Sequence, residues 1–255
     1  MSADIPKILH QTWRSADLPP QFARWRRTWL DLHPDWEHRF YDDDDIHRIV
    51  ANRAAHLVPV FAALPHPIAR IDLFRYLIVA LDGGLYADMD MEAYRPSDNL
   101  LAGAGAVLSV EAKIGQRYQA QLGYKQPWQI ANCIFAAAPG HPLLAAMIER
   151  VARTAAAPPT RDADVEDIAG PRALTRLLYE LPATQRGAVR VLPQIHWMAP
   201  WEYPRIGPLA RLIHARHATS GTWRSAAEAK RPWRERLTAR NRLPNPFSDD
   251  GPVLA

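Results

Sequence analysis

Two aspartates one residue apart, Asp88 and Asp90, close a short apolar run, Leu85-Tyr86-Ala87, that itself follows the turn Gly83-Gly84. Carboxylates at this spacing on a bend can share a hard divalent cation, which takes a few protein oxygens and fills its other positions with phosphate oxygens and water. The pattern alone is not selective, because Asp42/Asp44, Asp43/Asp45 and Asp162/Asp164 repeat it. Context separates the pairs. The acids at 42–45 precede Ile46, Ile49 and Val50 and read as the cap and first turn of a short helix, and 162/164 lie in a polar stretch. Asp88 and Asp90 follow a buried run, and ionised acids in apolar surroundings need a partner. A bound cation is the simplest one.

A second anomaly precedes them. Asp72 and Arg75 are the only charges between Ile71 and Leu81, and a separation of three places them on one helical face. They form a buried salt bridge, or they meet a polar ligand; such bridges seldom add net stability, which favours a ligand nearby.

Strands are expected at 7–13, 36–41, 85–87, 106–110, 130–136, 189–192 and 212–215, and helices at 21–33, 56–64, 68–81, 142–155 and 172–181, with a short helix from Ile46. This alternation is that of an α/β sheet, whose ligands gather at the strand ends. Asp88 and Asp90 occupy such an end.

The bulk numbers set the frame. A chain of 255 residues with 48% hydrophobic content can bury one sizeable core, so a single domain over 1–223 is expected, with a basic, proline-containing tail at 224–255. That tail is solvated, or it lies on anionic lipid as an interfacial helix. The lone Cys133, in an apolar run, reads as core and excludes an intramolecular disulfide. No secretory leader is read at the N-terminus, so the expected location is cytoplasmic, peripheral at the inner face of a membrane. A net charge of +4 and a pI near 9.4 suit anionic ligands. Two rival functions use the same features. A phosphotransferase or phosphatase would also set two acids at a strand end, although Glu92 is unexpected there. A nucleic-acid or membrane-binding module would use the tail, but no nucleic-acid motif or Gly-rich phosphate loop accompanies it, so no nucleic acid is expected.

The blocks Ile5-Pro6-Lys7-Ile8-Leu9-His10-Gln11-Thr12-Trp13, Asp72-Leu73-Phe74-Arg75-Tyr76 and Gly83 to Asp90, in that order, resemble glycosyltransferase family 32. That family includes initiating α-1,6-mannosyltransferases and inositol-phosphoceramide mannosyltransferases, and it is distantly similar to the glucosyltransferase domains of large clostridial toxins. The resemblance implies a GT-A-like nucleotide-diphospho-sugar transferase fold, a Rossmann-like mixed sheet flanked by helices. It implies hexose transfer from a UDP- or GDP-sugar to a glycan or lipid-linked acceptor, with retention, assisted by Mn²⁺ or Mg²⁺. Residue by residue, it implies catalytic roles for Asp72, Arg75, Asp88 and Asp90, and metal ligation by Asp88, Asp90 and His217. It sets His10, Gln11, Trp13, Asp72, Arg75, Tyr86, Asp88, Asn132, Gly170, Ser220 and Trp223 around the donor, with a loop at 220–223 closing over it. Three alternatives stay open: Trp13 as core, His214 in place of His217, and Trp223 as simple packing.

Overall fold

The computed structural model describes residues 4–64, 66–155, 162–203 and 207–220. The first strand, β1 (Ile8–Thr12), is followed by α1 (Pro20–Leu32), β2 (Glu37–Tyr41), α2 (Asp43–Arg53), a 3₁₀ turn at Ala55–Leu57, α3 (Val58–Ala63), α4 (Pro67–Asp82), β3 (Gly84–Ala87), β4 (Met91–Ala93) and α5 (Asp98–Leu101). The second half holds β5 (Ala106–Lys113), α6 (Gln116–Leu122), β6 (Trp128–Ile130), β7 (Ile134–Ala137), α7 (Pro142–Thr154), α8 (Asp162–Ile168) and α9 (Pro171–Glu180). It ends with α10 (Ala183–Arg186), β8 (Val189–Leu192), α11 (Gln194–Trp197), a 3₁₀ turn at Pro208–Leu212 and β9 (Ala215–His217).

The main sheet runs β2-β1-β3-β7-β5-β6, with β8 also on β5. β1 pairs in parallel with β2 and β3, and β5 with β8, whereas β7 is antiparallel to both β3 and β5. The expected mixed sheet flanked by helices is therefore present. β4 and β9 form a separate antiparallel pair with Met91 opposite His217, which returns the late chain to the segment just after Asp90.

Helix α4 is the structural spine. Asp72 to Val79 are all buried, so the helix is apolar on nearly every side except for Asp72 and Arg75. Gly83 ends it in the left-handed region (φ 69°), where glycine avoids the Cβ clash. Gly84 follows at φ 105°, and a Cβ there would stand 2.5 Å from the carbonyl oxygen of Ile8. Only glycine lets β3 lie this close to β1. Upstream, Asp42 caps α2 by accepting from the Asp45 amide at 2.9 Å, while the Asp45 carboxylate reaches back to the Asp42 amide. The aspartate run is thus a capping device at its first and fourth positions, as its context implied.

Two expected strands are corrected. The single strand at 130–136 is two, interrupted at 131–133, because Asn132 and Cys133 leave the ladder to bond other elements: the Cys133 carbonyl accepts from the Asp88 amide at 2.8 Å. The strand at 212–215 lies later, at Ala215–His217, because Pro208 opens a 3₁₀ turn through Leu212. Residues 224–255 lie outside the described residues. Among the described residues, no helix is long and apolar enough to cross a membrane.

Gly84→Ala is expected to destabilise the protein by more than about 1 kcal/mol, since a left-handed Cβ penalty of that order adds to a backbone clash. Urea unfolding of the variant checks this.

Candidate active site

A cavity of about 390 Å³ opens where β1 and β3 end and β7 begins. Its floor is built from α4 and β3. Arg75 reaches Asp72 at 3.0 Å and Asp88 at 3.2 Å with the same Nη2, and its Nη1 donates to the Asn132 carbonyl at 2.8 Å. The Asn132 amide in turn donates to Asp72 at 2.9 Å. Asp88 Oδ1 also accepts from the Tyr86 hydroxyl at 2.8 Å, and Thr12 stands 2.9 Å from that hydroxyl. The Arg75 guanidinium covers the Tyr86 ring, 4.9 Å from its centroid.

Burial pushes Asp72 up to about 6, Arg75 acting against it, and burial likewise raises Asp88. Burial also opposes the charge on Arg75, but the facing acids outweigh it and keep the guanidinium protonated. Among the described residues its remaining nitrogen, Nε, is buried without a partner. Arg75 lines the cavity, as expected of a donor-site residue, and it also orients Asp88.

Asp90 is held from the other side. Its Oδ1 meets His217 Nε2 at 3.1 Å, and its Oδ2 accepts from the Ser220 amide at 2.9 Å and the Ser220 hydroxyl at 2.8 Å. Burial raises its pKa, but the hydrogen bonds from His217 and Ser220 prevail and set it at about 2. Burial opposes the charge on His217, but Cys133 and then Asp90 outweigh it and raise the imidazole well above an ordinary histidine. Ligand atoms of Asp88, Asp90 and His217 all lie within 4.8 Å of one another. Two carboxylates and an imidazole are a donor set that a divalent cation accepts, so the residues fit the metal that the resemblance implies.

The other expected residues divide. Asp72, Asn132, Trp13 and Ser220 line the cavity. Trp13 is half-buried, packed on Phe22 with centroids 4.3 Å apart, and the Arg14 guanidinium lies over its ring, 5.1 Å from the centroid. His214 donates to the Pro96 carbonyl at 2.7 Å and lies away from the cavity, so of these two alternatives His217 is the one beside Asp90. Tyr86 is fully buried and acts through Asp88. Gly170 caps α9, where a Cβ would meet the Glu166 backbone at 2.7 Å, and it does not line the cavity. Gln11 is buried and also off the cavity. Trp223 lies outside the described residues.

His10 is corrected. It is fully buried, with Nε2 on the Gly83 carbonyl at 2.8 Å and Nδ1 on the Tyr41 hydroxyl at 2.9 Å, and it ties β1 to β2 and to the end of α4 rather than facing a donor. Sequence reasoning passed over Thr12, Arg14, His47, Arg70 and Glu111, all of which line the cavity. None carries a local signal.

Residues 19–106 match the family model described as the glycosyltransferase sugar-binding region containing a DXD motif. The chain is 30% identical over 154 residues to "Inositol phosphoceramide mannosyltransferase 3" of Schizosaccharomyces pombe, covering 60% of this chain and 39% of that protein. It is 29% identical over 194 residues to "Inositol phosphoceramide mannosyltransferase 1" of the same yeast, covering 75% and 56%. It thus spans about two fifths to somewhat over half the length of these relatives. Among solved structures, "PaToxG Glycosyltransferase" superposes with a TM-score of 0.50 at 17% identity, over 70% of this chain and 71% of that one. The fold is shared with that glycosyltransferase, and the matched region is one that glycosyltransferases carry. More particularly, the sequence resemblance to glycosyltransferase family 32 is borne out by its DXD region and by its mannosyltransferase relatives.

Burial pulls His10 down to about 4, against about 6.5 for an unfolded histidine. Between those values the unfolded chain binds the extra proton, so stability is full above about pH 6.5 and falls toward pH 4, by about 2 kcal/mol from this residue. Urea unfolding at pH 7 and 4.5 is expected to show that loss, and His10→Asn is expected to reduce it.

Proposed function

We propose that the protein transfers a hexose from a UDP- or GDP-sugar to a glycan or lipid-linked acceptor, with retention of anomeric configuration. The relatives' names point to mannose as the sugar. The observation that carries the reading is the Asp88, Asp90 and His217 cluster on the floor of a cavity large enough for a bound ligand.

The chemical problem is the leaving group, since cleavage of the anomeric bond gathers negative charge on the diphosphate and positive character on the sugar. A divalent cation, Mn²⁺ or Mg²⁺, supplies Lewis-acid stabilisation of that charge when bound. Asp88, Asp90 and His217 would hold the cation. Arg75 keeps Asp88 aimed, and Asp72 and Asn132 present polar groups to the donor. Trp13 flanks the base. Ser220, bonded to Asp90 through its amide and its hydroxyl, fixes that carboxylate beside the donor. The acceptor attacks from the face the diphosphate leaves, so no separate nucleophile is required. The proposed location is cytoplasmic.

Asp90→Ala is expected to abolish transfer and to leave the circular-dichroism spectrum unchanged. Near-normal turnover at saturating donor sinks the proposal. Excess chelator is expected to stop the wild type, and Mn²⁺ or Mg²⁺ to restore it; full activity in chelator places the reaction outside metal chemistry.

A further inference from the structure

Six acids line the cavity, and five have a charged neighbour: Asp43, in the first turn of α2, is acted on by His47 and Arg14, and four more are ion-paired. Asp72 and Asp88 share Arg75, Asp90 meets His217, and Glu166 meets Arg172 at 3.1 Å. Glu111 has none among the described residues, yet it lines the same cavity and is half-buried.

Its placement is specific. β5 pairs Val110 with Ile130 and Ala112 with Gln129, so Glu111 is the extra residue of a bulge. A bulge turns a strand side chain out of the regular alternation, a device common beside active sites. The carboxylate is then fixed. Gln129 Nε2 donates to Glu111 Oε2 at 2.8 Å, the Tyr124 hydroxyl donates to Gln129 Oε1 at 3.1 Å, and Gln194 donates to the Glu111 carbonyl. Among the described residues, Oε1 has no hydrogen-bond partner. A held carboxylate with one open oxygen is an acceptor for a hydroxyl group.

Strand order gives its distance from the donor groups. Across the sheet come β1, β3, β7 and β5, bearing Thr12 with Trp13 just beyond it, then Asp88 and Asp90, then Asn132 and Cys133 ahead of β7, then Glu111. Neighbouring strands are about 4.8 Å apart, so Glu111 lies about 10 Å from the strand that carries the acidic pair, on the side away from Trp13. A nucleotide against Trp13 with its diphosphate at Asp90 leaves room for one sugar ring before Glu111 is reached.

We infer that Glu111 is the acceptor-binding residue, accepting through Oε1 a hydrogen bond from a hydroxyl of a polyol acceptor, such as a sugar or an inositol ring. This rests on the transferase reading above. In the transfer, the bond from the acceptor oxygen to the anomeric carbon forms and the bond from that carbon to the phosphate oxygen breaks. The bonding pair and the acceptor's proton leave with the nucleoside diphosphate, and Glu111 is unchanged. Its contribution is orientation, and it selects acceptors with a second hydroxyl beside the attacking one.

The test uses the full chain with Mn²⁺, a panel of GDP-mannose and UDP-glucose as donors, and methyl α-mannoside and myo-inositol as acceptor probes. Nucleoside diphosphate release without acceptor reads donor hydrolysis, and product formation reads transfer. Glu111→Ala is expected to lower the ratio of transfer to hydrolysis at least tenfold and to raise the acceptor KM, with donor affinity by calorimetry moving less than threefold. Glu111→Gln keeps the size and the bond from Gln129 but presents an amide N–H to the hydroxyl, and a severalfold fall in the same ratio is expected. That variant carries the test if the alanine form does not fold. An unchanged ratio overturns the inference, and so does an equal fall in hydrolysis and transfer, which would place Glu111 on the donor. A wild type that neither binds nor hydrolyses any donor of the panel fails earlier, at the transferase reading.

Discussion

One buried cation organises the floor of this cavity. Arg75 is enclosed by α4, β3 and the segment before β7, and its guanidinium spans Asp72, Asp88 and the Asn132 carbonyl. Taking three charges out of water is costly, and their mutual attraction offsets the cost only when the geometry is close and the leftover valences are met. Here Tyr86 and Asn132 meet those of the two acids, while Arg75 Nε stays without a partner among the described residues. Loss of any one member strands the others, a change worth about 3–5 kcal/mol for a buried pair. The same constraint decides what Asp88 can do: one of its oxygens is committed to Arg75 and Tyr86, and its orientation toward Asp90 follows from that.

Asp88 is fixed by the sheet and Asp90 by the late chain. The first has its backbone amide on Cys133 and its side chain on the α4 cation, whereas the second is bonded by His217 and Ser220. Two residues adjacent in a motif thus belong to two different supports. Burial raises the first acid and hydrogen bonds lower the second, so the two are electrostatically unlike in spite of their spacing.

Much of this was legible in the sequence where the signal is local. The charges at 72 and 75 in an apolar helix announced a buried pair, the Gly83-Gly84 turn announced the end of α4, and the aspartate run at 42–45 announced a cap. What escaped depends on tertiary pairing. The break at 131–133 is invisible because Ala131-Asn132-Cys133 continues an apolar run, and only the competing demands of Arg75 and Asp88 interrupt the ladder. Glu111 reads as one charge at the end of a strand until the bulge opposite Gln129 is seen. His10 was set at the donor by resemblance, but its two ring nitrogens are consumed by Gly83 and Tyr41. The choice between His214 and His217 needed the register of β4 against β9.

That register also governs when the acidic pair becomes a binding site. Asp90 and His217 are 127 positions apart, and they meet only through a short ladder closed by a strand of three residues. Contacts this distant in sequence form after local ones, because a long loop must be ordered first. A chain that has folded through β7 therefore presents two carboxylates without their imidazole, and the cluster is complete only when β9 docks. Assembly itself delays completion of the three-residue cluster until the two ends of that long-range contact have met.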